Sequence, residues 1–135
     1  IRAPAAQMII NDLAYKRSET IARNGAWAAN ALGLTTQMPV QQKFVGSGRS
    51  RTLQLGKIKI TVEHAPSWQL VFGTTPTGDA IRALAWMGQA HASESTAKLR
   101  KHLTDSEWQI LESARGLFPN WIAEAIGRET DKHSN

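Results

Sequence analysis

Apolar positions repeat every three or four residues near the two ends of the chain and every second residue in its middle. The helical period predicts a helix pair ahead of the middle, at residues 4–16 and 25–32. Gly33 follows the second helix and predicts a C-terminal glycine cap. The segment at residues 19–22 between the two helices is interpreted either as a short strand or as an extended link.

The alternating period in the middle predicts a β-meander, which is a set of neighbouring antiparallel strands. The predicted strands are residues 43–45, 49–55 and 58–64, with residues 70–72 as a candidate for a fourth. Gly46-Ser47-Gly48 is a turn signal between the first two strands. Gly56-Lys57 suits a two-residue type II′ hairpin turn, because that turn requires glycine at its first position.

The Gly56-Lys57 turn also predicts which residues face each other across the hairpin. The expected pairs are Leu55 with Ile58, Leu53 with Ile60, Arg51 with Val62 and Arg49 with His64. The apolar members of these pairs then share one face, which is expected to be the core face. The polar residues between them, Lys59 included, are expected to face water.

Helical spacing returns in the second half of the chain. The predicted helices are residues 78–90, 94–103, a helix that begins after Thr104, and 119–128. Thr104 and Glu107 have the spacing of a capping box. We expect one α+β domain over residues 1–128, in which the N-terminal helix pair and a helical C-terminal half flank a small antiparallel sheet of three or four strands. Residues 129–135 are expected to form a frayed polar tail.

The 135-residue chain has no cysteine, which excludes disulfides and thiolate metal sites and suits a reducing compartment. No segment approaches the roughly 18 apolar residues of a membrane span, and no signal peptide opens the chain. We therefore expect a cytoplasmic protein without a membrane partner. Because the first residue is Ile1 and not Met, we expect this chain to be part of a longer polypeptide.

The net charge of +5 is concentrated in one part of the chain. Residues 41–64 hold five basic residues against Glu63 alone. We call these five residues the basic stripe. A concentration of positive charge of this kind favours an acidic partner, either nucleic acid or an acidic protein surface. The alternative is a solvated sheet face that keeps the protein soluble. The predicted nucleic-acid contacts are Lys43, Arg49, Arg51, Lys57, Lys59 and Arg23.

No group of residues typical of an enzyme is visible. The four histidines are scattered without the spacing of metal ligands, and the acidic residues fall mostly on predicted helix surfaces. The GSGRSR segment at residues 46–51 has the amides and arginines of a phosphate-binding loop. It lacks the lysine and the following helix of a P-loop, so a tight turn is the preferred interpretation. We therefore predict a protein that is not an enzyme and has no metal or cofactor. Among the tryptophans, Trp68 is the candidate for an exposed aromatic residue that contacts a partner.

Short motifs follow one another in a set order along the chain. They are Gly25-Ala26, Ala28-Ala29-Asn30, Leu32-Gly33-Leu34, Thr36-Gln37-Met38-Pro39, Phe44-Val45, Gly48-Arg49-Ser50-Arg51-Thr52, Ala83-Leu84 and Leu99-Arg100-Lys101-His102-Leu103. The order extends over roughly residues 4–122, which is most of the chain, and it resembles that of the antitoxin part of AbiEi-type proteins.

This resemblance implies an antitoxin and transcriptional regulator of a type IV toxin–antitoxin pair. Such proteins carry a winged helix-turn-helix ahead of the matching region, which binds the operon's own promoter, and they counter a nucleotidyltransferase-like toxin. In this sequence no helix-turn-helix precedes residue 4. The implied partners are promoter DNA and the toxin, the latter directly or indirectly.

Two other classes of function stay open. One is a module for protein interaction or homo-oligomerisation through the tryptophan-rich helices, which an exposed apolar patch would favour. The other is a nuclease whose carboxylates converge from distant positions beside the basic stripe.

Overall fold

The computed structural model describes residues 3–39 and 42–133, and these form an α+β fold. The helices are α1 (Ala3–Arg17), α2 (Gly25–Ala31), α3 (Pro76–Met87), α4 (Ala92–His102), α5 (Asp105–Ser113) and α6 (Asn120–Lys132). The strands are β1 (Ile21–Arg23), β2 (Gln42–Gly46), β3 (Arg51–Leu55) and β4 (Ile58–His64). Short 3-10 turns lie at Ser67–Gln69, Gln89–His91 and Arg115–Leu117. The predicted class and the helical C-terminal half are confirmed.

The sheet is mixed, with the strand order β1-β2-β4-β3. β1 pairs with β2 and β3 pairs with β4 in antiparallel directions, whereas β2 and β4 run parallel. The predicted meander is therefore wrong at one place, because β3 lies beyond β4 and does not contact β2. The fourth strand is β1, and residues 70–72 form a turn after the first 3-10 segment.

Side-chain hydroxyl groups hold residues 47–50 as a connection that crosses the end of the sheet. Ser47 Oγ accepts a hydrogen bond from the Thr20 amide at 3.0 Å, next to the start of β1. Ser50 Oγ accepts one from the His64 amide at 2.9 Å, at the end of β4. A tight turn would instead have placed β2 and β3 side by side. β3 consequently begins two residues later than predicted, at Arg51.

The hairpin of β3 and β4 has the predicted register. Leu55 pairs with Ile58, Leu53 with Ile60 and Arg51 with Val62. The expected Arg49–His64 pair does not form, because Ser50 takes the His64 amide. Gly56 has a φ of 62°, which glycine adopts without the steric cost of a Cβ atom.

Helix α1 covers one face of the sheet and buries the apolar positions of β1, β2 and β4. The buried residues of this layer are Ala6, Ile10, Ile21, Phe44, Ile60 and Val62. A smaller cluster of Ala22, Ala65 and Leu70 covers the β1 end of the opposite face. The hairpin end of that opposite face stays in water, and Thr52, Gln54 and Lys59 are exposed there.

The largest core belongs to the helical half, and α2 is part of it. Its buried residues include Ala28 and Ala29 of α2 together with Leu84, Leu99, Leu111, Ile122 and Ile126. Helices α2 and α3 approach each other closely at Gly25, where a Cβ atom would lie 2.5 Å from Trp86 Cβ. The predicted N-terminal helix pair is therefore divided, with α1 on the sheet and α2 in the helical core.

Two further predictions about the C-terminal half are corrected. Trp68 is half-buried, and its ring meets the edge of Phe118 at a centroid distance of 6.4 Å, so it is not an exposed contact. Helix α6 extends to Lys132 and buries Glu129. Residues 129–132 thus belong to the last helix and not to a frayed tail, because one face of this turn still packs on the core. Residues 134–135 lie outside the described part.

Candidate nucleic-acid interface

The six cations predicted to bind nucleic acid do not form one surface. Side chains alternate between the two faces of a strand, and the buried Phe44 faces α1. By this alternation Lys43 and Lys59 lie on the face away from α1, while Arg51 and Arg23 lie on the α1 face. These cations are therefore divided between the two faces of the sheet.

Arg51 is held in an ion pair inside the fold. Its Nη2 contacts Glu19 Oε1, and the two side chains are only 18% and 17% exposed. Its Nη1 also donates to the Arg49 carbonyl at 2.7 Å. This ion pair joins the start of β3 to the segment before β1 and offsets the charge of Arg51.

Arg23 is also engaged within the fold, at the β1 edge of the α1 layer. Its Nε donates to Gln7 Oε1 at 3.2 Å and its Nη1 donates to Gln42 Oε1 at 3.3 Å. The guanidinium lies 4.8 Å from the centre of the Phe44 ring and 5.2 Å from that of Trp27. Desolvation by burial lowers the pKa of Arg23. This cation therefore lies beside β2 but on the face of the sheet opposite to Lys43.

The remaining cations lie on or beside the open side of the sheet. We define the lysine face as Lys43, Lys57 and Lys59; Lys57 occupies the hairpin turn and the other two lie on neighbouring strands. Arg49 is exposed in the connection before β3. Within residues 3–39 and 42–133, none of these four forms an ion pair within 4.0 Å. Their charges are therefore available to an acidic partner.

Threonines separate the lysines on this face. Lys43 lies opposite Thr61 across the β2–β4 pair, and Thr52 lies opposite Thr61 across the β3–β4 pair. Hydroxyl groups beside cations are common contacts to phosphate oxygens. Glu63 shares the face but lies towards its covered end, where it lines a small cavity near Arg82. The open part of the face is thus positive and rich in hydrogen-bond donors.

The GSGRSR segment forms a connection across the end of the sheet, and the tight turn preferred from the sequence is wrong. The hydroxyls of Ser47 and Ser50 accept backbone hydrogen bonds, as described above, and the Gly48 carbonyl lies 2.9 Å from His64 Nδ1. These polar groups serve the connection between strands. The segment therefore resembles a braced loop more than a phosphate cradle.

A shallow apolar groove of about 580 Å³ lies along α5. Its apolar lining consists of Phe72, Ile110, Ala114 and Leu117, of which Ile110 and Leu117 are 47% and 56% exposed. The sequence pattern did not distinguish these residues from core positions, since Ile110 follows helical spacing.

The buried Arg82 pairs with Asp79 within α3 and also binds the preceding 3-10 segment. Arg82 is fully buried; its Nη2 donates to Asp79 Oδ1 at 2.8 Å and its Nη1 to the Gln69 carbonyl at 2.9 Å. Desolvation raises the pKa of Asp79 and lowers that of Arg82, and their mutual hydrogen bond and charge attraction oppose both shifts. Sequence reasoning did not single out either residue, because their burial depends on the packing of distant segments.

The described residues contain neither a cluster of metal ligands nor a membrane-spanning helix. Across residues 3–39 and 42–133, no three side chains of His, Asp or Glu come together as metal ligands would. No helix in that part of the chain has the length and apolar character needed to cross a membrane.

Comparison with known proteins identifies a family without an assigned activity. Residues 1–109 match the family model described as "Family of unknown function (DUF6088)". No curated protein and no solved structure matches the chain.

Proposed function

The chain belongs to the DUF6088 family, whose function is unknown, and we propose on other grounds that it is a non-catalytic domain of a cytoplasmic antitoxin-type regulator. Its lysine face and Arg49 would contact the phosphates of promoter DNA. The observation that supports the proposal is that these four cations, which lie on or beside the open sheet face, are exposed or partly exposed and form no ion pair with the described residues. The resemblance to AbiEi-type proteins supplies the biological setting.

The proposed contact contributes affinity and not sequence recognition. Each phosphate neutralised by a lysine or arginine releases condensed counterions, so the logarithm of the binding constant falls by about 0.9 for each contact per unit of log salt. Four contacts give a slope of about −3.6, which supports only modest binding. The face would therefore orient the regulator beside a separate DNA-reading element, because phosphate contacts fix register but carry no base information.

The antitoxin role follows from the resemblance. It implies a nucleotidyltransferase-like toxin, countered directly or indirectly, and no cofactor. Co-expression of this chain with the neighbouring toxin gene tests that role, with growth rescue as the expected result. Continued growth arrest would contradict the antitoxin part of the proposal and leave the DNA contact to be judged by its own experiment.

The DNA contact is tested by measuring the binding constant for duplex DNA from the promoter of the protein's own operon over a series of salt concentrations. The test variant replaces Lys43, Lys57 and Lys59 by Gln. The matched control replaces Lys16, Lys98 and Lys101, which are exposed lysines of α1 and α4. We expect the test variant to make the salt slope shallower by about 2 to 3, with the control unchanged. Equal slopes for the two variants would overturn the proposal.

A second candidate function is a protein-interaction or dimerisation module, and the apolar groove on α5 favours it. Exposed apolar residues that line a groove are typical of interaction surfaces. Replacing Ile110 and Leu117 by Ser should then abolish any concentration-dependent association of the wild-type chain in sedimentation experiments. A wild-type chain that stays monomeric would remove support for dimerisation through this groove.

A further inference from the structure

A second cavity, separate from the lysine face, lies where α1, β1 and α2 meet the start of α3. It has a volume of about 310 Å³, which is at the small end of the range for ligand sites. The residues that give it chemical character are Gln7, Asn11, Arg23, Trp27, Thr74 and Asp79. They include a cation, a carboxylate, two amides, a hydroxyl group and an aromatic ring.

Arg23 lacks an anionic partner in this cavity. Two of its nitrogens donate to the neutral amides of Gln7 and Gln42. Its Nη2 has no hydrogen bond and no carboxylate lies within 4.0 Å of it, as far as residues 3–39 and 42–133 are concerned. A partly desolvated guanidinium gains from a planar carboxylate, which can accept two of its hydrogen bonds. The cation therefore favours a ligand with a carboxylate group.

Asp79 brings the opposite charge to the same cavity. Its Oδ1 accepts from Arg82, whereas its Oδ2 has no hydrogen bond to any described residue. Its side chain is 23% exposed, so the carboxylate can still be reached. A carboxylate that loses its surrounding water is destabilised unless hydrogen-bond donors from the protein or a ligand replace that water. This side of the cavity therefore favours a ligand with N–H donors, best of all an ammonium group.

The two charged groups do not satisfy each other. Asp79 pairs with Arg82 and not with Arg23, although both Asp79 and Arg23 line the cavity. Trp27 contributes an aromatic surface beside them and is partly exposed. We infer that this cavity binds a small zwitterion of amino-acid size, with its carboxylate at Arg23, its ammonium group at Asp79 and its side chain against Trp27.

A ligand with a single charge fits the lining less well. A small anion would gain Arg23 but would also approach the Asp79 carboxylate. An amine would gain Asp79 but would bring a second positive charge near Arg23. Only a molecule with both charges complements both groups, and this complementarity is independent of the proposed DNA contact.

The test uses the full chain and three compounds of matched shape. L-phenylalanine has both charges, phenethylamine lacks the carboxylate and 3-phenylpropionate lacks the ammonium group. Binding is followed by NMR through the indole N–H resonance of Trp27, which is assigned with a Trp27→Phe variant. We expect L-phenylalanine to shift this resonance and to bind about tenfold tighter than either analogue, since each lost charge pair removes one specific contact. L-leucine is the second zwitterion and should shift the same resonance.

Variants separate this cavity from other parts of the surface. Asn11→Ala alters an exposed lining residue and leaves the Trp27 resonance in place, and it should weaken L-phenylalanine binding several-fold. Trp86→Ala is the control, since Trp86 is an exposed tryptophan that does not line this cavity. Absence of any Trp27 shift with both zwitterions at about 10 mM, far above a millimolar dissociation constant, would overturn the inference. Equal binding of the singly charged analogues would overturn it as well.

Discussion

Arg51 and Glu19 lie 32 positions apart in the sequence and form an ion pair that joins the start of β3 to the segment before β1. Both side chains are largely shielded from water. The pair therefore spans the two edges of the sheet at the end where residues 47–50 cross. It explains why a cation predicted to contact DNA is part of the fold instead.

Removal of this pair should affect stability and leave DNA binding unchanged. Arg51→Met leaves the Glu19 carboxylate without its charged donor, and we expect a loss of about 1 to 3 kcal/mol in the free energy of unfolding. Urea denaturation measures this loss. A double-mutant cycle with Glu19→Gln should give a coupling energy well above that of exposed pairs, which is about 0.2 to 1 kcal/mol. A lower salt slope for DNA binding by folded Arg51→Met would show that Arg51 does contact DNA.

The close approach of α2 and α3 predicts an unusual sensitivity at Gly25. A Cβ atom there would lie 2.5 Å from Trp86 Cβ and 2.6 Å from the Arg82 carbonyl oxygen. We expect Gly25→Ala to destabilise the protein by about 1 to 3 kcal/mol, because the two helices must separate. Gly116→Ala is the control, since the Cβ atom there meets open space. Thermal unfolding of the two variants should differ clearly, and equal melting temperatures would contradict the packing described.

The capping box at the start of α5 should contribute measurably to stability. Thr104 Oγ1 accepts from the Glu107 amide at 3.1 Å, and Glu107 Oε1 accepts from the Thr104 amide at 2.9 Å. We expect Thr104→Ala to lower the free energy of unfolding by about 1 kcal/mol. Ser106→Ala changes an exposed position of the same turn and should have little effect. A larger loss for Ser106→Ala than for Thr104→Ala would contradict this assignment.

Asp79 should give stability a specific pH dependence. Its pKa is raised by desolvation, against the opposing influence of Arg82. The folded chain then binds the Asp79 proton more tightly than the unfolded chain, so its contribution to stability is complete below the ordinary aspartate pKa of about 3.9. That contribution is lost as the pH rises through the raised pKa of Asp79.

Comparison of the wild type with Asp79→Asn isolates this contribution, because Asn does not titrate. The wild-type free energy of unfolding, relative to the variant, should fall as the pH rises from below 3.9 through the pKa of Asp79. Carbon-13 NMR of the Asp79 carboxyl group gives that pKa directly. A relative stability that rises over the same window would show that attraction to Arg82 outweighs desolvation.

The parts of the fold that depend on residues close together in the sequence could be predicted from the sequence. The alternation of apolar residues around Gly56-Lys57 set the hairpin register, and the Thr104 capping box marked the start of α5. The side of β4 on which β2 lies could not be predicted in the same way. That choice depends on contacts between distant segments, such as the Ser47 hydroxyl with the Thr20 amide.

The cations predicted to bind nucleic acid lie on different faces of the sheet for a similar reason. Composition identified the cations of residues 41–64. The face of the sheet on which each side chain lies depends on the position of the residue in its strand, which composition does not give. Lys43 and Lys59 lie on the open face, whereas Arg51 meets Glu19. The cavity lined by Arg23 and Asp79 had no local signal in the sequence, because its lining comes from separate elements of the chain.

The position of β4 between β2 and β3 also affects how the chain acquires its structure during synthesis. β1 and β2 form only a two-stranded ribbon until β4 has left the ribosome, and such ribbons are marginal in water. Until then the Phe44 side chain lacks the Ile60 and Val62 partners that bury it in the completed protein. A polypeptide released before residue 58 would therefore expose an apolar surface and an unpaired strand edge, which favour aggregation. The parallel pair thus leaves any product that ends before β4 without the strand that completes the core around Phe44.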